Sequence, residues 1–94
     1  MAKHINQVLS ADGNTISVLW AGGEGTYSAS GTFGGGTTRL MVSMDDGATF
    51  FSAGPEGELT ISGIRSFSIP ECTLRVSLTG ATSPNLTISL DSVK

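Results

Sequence analysis

Few residues in this chain have the types and spacing that chemistry needs. The densest group is Ser43-Met-Asp-Asp-Gly-Ala-Thr-Phe50, which places two adjacent carboxylates, Asp45 and Asp46, in a glycine-bearing turn. Adjacent carboxylates with loop carbonyls are the donors a hard cation takes, but the spacing of an EF-hand loop is absent. The same residues serve a tight hairpin turn: Asp45 and Asp46 accept bonds from nearby backbone N–H groups, and Gly47 supplies a positive φ. Phe50 then re-enters the apolar layer. The turn reading accounts for every residue of the stretch, so Asp45, Asp46 and Gly47 are expected to be structural and no metal is expected.

The remaining candidates are isolated. His4 is the single histidine and has no acid or nucleophile near it in sequence; it is expected to be an exposed terminal residue. Cys72, the single cysteine, falls on the apolar side of an alternating strand and is expected to be buried and unreactive. One histidine and one cysteine do not make a zinc site without leaning on carboxylates. Glu56 and Glu58 flank Gly57 as loop charges, and a glycosidase would need two carboxylates held across a cleft. No G-x-S-x-G elbow is present. The glycine loop Ala21-Gly-Gly-Glu-Gly25 lacks the helix and Lys-Ser/Thr pair of a phosphate cradle. The expectation is a non-enzyme without cofactors.

The elements around these residues read as strands alone. The chain has 94 residues, 38% apolar and 14% charged, with 13 glycines, 13 serines and 11 threonines. Charged residues are well below the usual share of about 25%, and Ser and Thr alternate with Leu, Ile, Val and Phe. That alternation predicts strands with one wet face. Nine segments qualify: Ile5–Ser10, Thr15–Trp20, Thr26–Phe33, Thr37–Met44, Ala48–Ala53, Glu58–Ser62, Ile64–Ile69, Glu71–Thr79 and Asn85–Val93. The first two are expected to pair as a hairpin across Ala11-Asp-Gly-Asn14, with Ile16, Val18 and Trp20 on one face. Gly34-Gly-Gly36 and Gly54-Pro-Glu-Gly57 are further turns. Residues 1–5 are expected to form a loose arm.

Seven to nine short strands and no helix define a single all-β domain, a small antiparallel sandwich or barrel with jelly-roll or immunoglobulin-like topology. Small residues at Ala29 and Gly31 leave space for a neighbour's bulky side chain or for a close backbone approach. The net charge is −3 and the five basic residues are dispersed, which argues against nucleic acid as a partner. No long apolar run predicts a membrane segment. Met1-Ala-Lys-His leads directly into such sequence without a secretory apolar region, which predicts synthesis in a cytoplasm. A domain of this size has a limited core and gains by oligomerising. Trp20 is expected to plug the core or a subunit interface, with an aromatic binding platform as the alternative. Arg75 projects outward from a strand otherwise faced with Ser and Thr, where it serves a structural ion pair or a contact to a neighbouring subunit.

Four stretches carry a resemblance. The first two are Trp20-Ala-Gly-Gly-Glu-Gly-Thr-Tyr27 and Gly31-Thr-Phe-Gly-Gly-Gly-Thr37. Then come Ser43–Phe50, which resembles the repeated hairpin called an Asp-box, and Leu74-Arg-Val-Ser-Leu-Thr-Gly-Ala81. In that order they resemble the small all-β proteins encoded among the structural genes of tailed bacteriophages. Those chains share a W-x-G-G-x-G start, a G-T-F-G-G-G-T turn, an S-x-D-G-G-T-T-W box and a late L-R-x-x-L-x-G strand. Here Asp46 stands where such chains often have glycine, and Phe50 replaces Trp. The resemblance implies a virion structural protein without saying which part of the virion. Small proteins of this kind commonly serve as capsid decoration (cement) proteins on the major capsid protein, often as trimers, and the small acidic chain favours that role, with Trp20, Tyr27, Phe33 and Arg75 as its interface candidates. The alternative that the resemblance implies is a tail, fibre or baseplate module that binds host glycan or receptor.

Overall fold

Alternation of small polar with branched apolar residues builds this chain from strands. The computed structural model describes residues 2–54 and 57–92, the first two of these by backbone only. The turn residues Pro55 and Glu56 and the final Val93 and Lys94 lie outside the described residues. Ten strands and no α-helix occur among the described residues: β1 (Ala2–Leu9), β2 (Gly13–Asn14), β3 (Val18–Trp20), β4 (Gly23–Thr32), β5 (Thr37–Ser43), β6 (Phe51–Ser52), β7 (Glu58–Leu59), β8 (Gly63–Ile69), β9 (Cys72–Thr79) and β10 (Asn85–Ser92).

The strands form two antiparallel sheets, ordered β1-β10-β4-β8 and β2-β9-β5-β6, with β3 also on β9 and β7 also on β5. One geometric rule organises them. Ala2 pairs with Ser92, Gly13 with Leu78, Gly23 with Ile69 and Val42 with Phe51, and each pair is centred on the Asp45–Gly47 turn. The chain is therefore one long hairpin strip folded at that turn. Rolling the strip brings β10 against β4 and β9 against β5. Two stacked four-row sheets made this way are a jelly roll. The immunoglobulin-like alternative is excluded, because it would keep the first two strands together in one sheet.

Three local expectations are corrected. Residues 2–5 belong to edge strand β1 and not to a loose arm: Ile5 lies opposite Leu90 and is buried. β1 and β2 do not form a hairpin, since they sit in different sheets. The carboxylate of Asp12 instead accepts the backbone N–H groups of Gly80 and Ala81 at 3.1 and 2.9 Å, tying the crossover to the turn after β9. The strand expected over Thr15–Trp20 is reduced to β3, and a break at residues 15–17 separates it from β2, which falls within the turn expected over Ala11–Asn14 and raises the count to ten. Thr15 causes the break. Its hydroxyl accepts the Val76 N–H at 3.0 Å, where a main-chain carbonyl would stand in a regular ladder. Thr15 is consequently buried and Ile16 turns out to solvent, the reverse of the expected facing.

The core lies between the sheets. Leu74, Val76 and Leu78 of β9 and Leu86, Ile88 and Leu90 of β10 are fully buried on the central strands. Each large apolar side chain hidden this way contributes about 1.5–3 kcal/mol against chain entropy. Tyr27 of β4 crosses the core and links the sheets. Its hydroxyl donates to the Gly57 carbonyl at 2.8 Å and shares a 2.9 Å bond with the Thr38 hydroxyl. Burial pushes the Tyr27 phenol above its ordinary pKa, so the group stays neutral and hydrogen-bonded. Gly31 makes the close backbone approach foreseen for it: a Cβ there would strike the Asn85 carbonyl.

Candidate interface on the outer face of a sheet

The acidic turn is built from its own side chains. Ser43 ends β5 with no exposed surface. Its hydroxyl donates to Asp45 Oδ1 at 2.7 Å and accepts the Gly47 N–H at 2.8 Å. Asp45 Oδ1 also accepts the Thr49 N–H at 2.9 Å. Asp46 and Gly47 follow each other in the left-handed region, at φ 60° and 91°. Asp46 thus serves through its backbone, a conformation Asp tolerates better than most residues. The Ser43 hydroxyl first, and then the Thr49 N–H, hold the Asp45 carboxyl below its ordinary pKa.

This turn has a pH signature of known sign. A folded-state pKa below the unfolded one contributes stability that is complete above the ordinary carboxylate range. That contribution is lost as pH falls through the depressed folded value. Acidification is therefore expected to loosen the turn only below the ordinary Asp range, and Asp45→Asn is expected to remove the effect. The Thr49 amide shift followed by NMR during acid titration checks this: a Thr49 transition at the ordinary Asp midpoint contradicts it.

The turn also delivers Phe50. Its ring lies 3.8 Å from the Arg75 guanidinium carbon. Arg75 stands on β9 opposite Met41 of β5, which is itself opposite Ser52 of β6. One step along the same outer face, Leu19 of β3 and Ser43 both lie opposite Thr73. Arg75 is half-buried, and its Nε is covered without a hydrogen-bond partner. Arg39 Nε pairs with Glu58 Oε2 at 3.2 Å, whereas Arg75 has no acidic partner among the described residues. Leu19 is 80% exposed and Met44 58% exposed. They rim a cleft of about 570 Å³ that also includes Asp46, Glu71 and Thr73. The face therefore combines a cation lying over an aromatic ring with uncovered apolar side chains.

The other interface candidates are core. Trp20, Tyr27 and Phe33 are 2%, 0% and 7% exposed, so the folded chain does not present them. Trp20 fills space against Phe67 and His4, with ring centroids 5.1 and 5.2 Å away. His4 is accordingly half-buried and not a free terminal residue. Cys72 is buried, and desolvation pushes its thiol above the ordinary pKa. Among the described residues no three His, Cys, Asp or Glu side chains gather where they could hold a metal ion. Sequence reasoning missed Ser43 and Phe50. The only signal for Ser43 was its place at the head of the S-x-D-x-G-x-T-F pattern. Phe50 was read as apolar filler, and nothing local connects it to Arg75.

Comparison with protein-family models, curated proteins and solved structures finds no match for this chain.

Proposed function

We propose that this chain is a structural protein of a tailed-phage virion, and specifically a head decoration protein. In this reading it seats the outer face of β3, β9 and β5 on the assembled shell and bridges neighbouring capsid subunits. The work is adhesion and not catalysis. The observation that carries the reading is Arg75, stacked on Phe50, without an acidic partner among the described residues and beside the uncovered Leu19 and Met44. A pre-positioned Arg loses little entropy on binding a carboxylate, and Arg within an apolar ring is a common centre of binding energy. Many copies binding at once stabilise a shell by mass action even where each contact is weak. The motif order from Trp20 to Ala81 supports the virion assignment by resemblance. The alternative, a tail module that binds host glycan, has less support because Trp20, the platform it would need, is buried.

The test is to add the purified protein to expanded shells that lack it. Co-sedimentation and a raised shell-disruption temperature are expected. Arg75→Met keeps the buried stem and is expected to weaken shell binding about tenfold or more, with the variant's own melting temperature unchanged within a few degrees. Failure of the wild-type protein to co-sediment with any shell overturns the assignment.

A further inference from the structure

A two-sheet sandwich has four edges, and three of them are blunted. β1 carries a register shift between Lys3 and Ile5. β2 and β3 are two and three residues long and are separated at Thr15. β6 and β7 are two residues each. Bulges, breaks and short strands are among the devices by which folded proteins prevent edge-to-edge pairing, together with prolines and edge charges. The fourth edge has no bulge, break or proline, and its one charge, Arg65, is turned back to the Glu58 carbonyl. β8 runs unbroken for seven residues, Gly63-Ile-Arg-Ser-Phe-Ser-Ile69, pairs only with β4, and contains no proline, lysine or register shift. Ile64 on its outer face is 65% exposed, and Ile61 just before it 73%.

Beside this edge lies a groove of about 300 Å³ between the two sheets, with Tyr27 and Leu40 in it and Phe67 and Ile69 along the β8 side. Arg65 Nε reaches over to the Glu58 carbonyl at 3.2 Å. A free strand edge is a row of backbone donors and acceptors, and another extended strand satisfies that row.

We infer that β8 is a self-complementary edge, and that two copies of this chain join through it as an antiparallel, two-fold dimer with one continuous eight-stranded sheet. The occupant follows from elimination, because the unblunted edge that a second copy offers is β8 itself. The register follows from length and charge. The arrangement that uses all seven residues is centred on Ser66. It sets Gly63 opposite Ile69, Ile64 opposite Ser68 and Arg65 opposite Phe67 of the other copy. Arg65 then meets an aromatic ring, whereas a register centred on Arg65 would oppose two like charges. An isologous contact of this kind closes on itself and does not by itself propagate a fibre. The inference is independent of the virion reading, and it puts a two-fold in place of the trimer that the resemblance implies.

Sedimentation equilibrium of the whole chain is expected to give a dimer. Ser66→Asp places two carboxylates opposite each other at the two-fold. It is expected to weaken the dimer about a hundredfold, while Ser30→Asp on the same outer face leaves it unchanged. Both sites are exposed, and an unchanged circular dichroism spectrum and melting temperature verify folding. A second measurement uses oxidation. Residues directly opposite on antiparallel strands have Cβ atoms about 4.5–5.5 Å apart, within reach of a disulfide after small adjustment. Ser66→Cys is therefore expected to cross-link as a dimer, and Ser30→Cys and the wild type, with its buried Cys72, are not. A monomer at every concentration, a trimer, a dimer indifferent to Ser66→Asp, or equal cross-linking of Ser30→Cys overturns the inference.

Discussion

Replacing Trp20 by alanine is expected to remove about 3–5 kcal/mol of stability, the usual loss for a large aromatic side chain deleted from a core. The whole margin of a domain this size is roughly 5–10 kcal/mol, so much of it goes with one ring. The structure says why the site cannot simply collapse. Trp20 packs on Phe67 and His4 and covers Gly25, where an added Cβ would come within 2.5 Å of the indole. Its neighbours hang from β1, β4 and β8, strands held in place by their own ladders. Trp20→Phe makes an informative partner. The indole Nε1 is buried without a hydrogen-bond partner, so phenylalanine gives up volume but relieves an unpaired donor. It is expected to cost only about 1–2 kcal/mol. Urea denaturation followed by circular dichroism reads both values, and a Trp20→Ala protein as stable as the wild type would show that the ring is not core.

The second large effect is expected at Gly34. Its φ is 60°, a left-handed conformation that costs a non-glycine residue about 1–2 kcal/mol. Crowding adds to this. A Cβ at Gly34 would strike the Thr82 carbonyl and approach the Thr82 nitrogen at 2.9 Å. The Thr82 N–H donates to the Gly34 carbonyl at 2.9 Å, and Gly36 N–H to the Phe33 carbonyl at 3.0 Å. The two loops therefore have nowhere to move without breaking their contact. Gly34→Ala is expected to cost about 3 kcal/mol or more in total. Gly35 separates the two causes, since its φ is 80° but an added Cβ meets nothing within 4 Å. Gly35→Ala should therefore lose only the conformational part, about 1–2 kcal/mol. For a domain of this length about 1 kcal/mol moves Tm by roughly 4–8 °C, so calorimetry resolves the pair. Equal shifts for both variants would contradict the crowding.

What the sequence revealed and what it hid differ by distance along the chain. The alternation over Glu71–Thr79 and Asn85–Val93 is clean, and strands β9 and β10 stand there with the expected residues inward; that each lies inside its sheet with partners on both sides came from the fold. The turn at Asp45–Gly47 was equally legible, because its hydrogen bonds run between near neighbours. Partner choice was not. Asp12-Gly13 reads as a hairpin turn, yet the Asp12 carboxylate bonds to Gly80 and Ala81. Nothing within a few residues of Asp12 encodes that.

The aromatics failed for a related reason. Alternation says that Tyr27 and Ala29 share a face, but not whether that face meets a second sheet or a second molecule. The polar bonds of Tyr27 to Thr38 and Gly57 decide for the second sheet. Arg75 was legible as an outward residue; that Phe50 would lie against it required the fold.

The strip geometry has a kinetic meaning. Every ladder except those formed by β5 with β6 and β7 joins segments far apart in sequence. Such chains close costly loops before contacts reward them, and they fold in milliseconds to seconds. On a ribosome β1 emerges first, but its partner β10 begins only at Asn85. β1 therefore waits as unpaired strand until β10 has been made, with β5 and β6, closed over the Asp45–Gly47 turn, as the earliest place for structure to start.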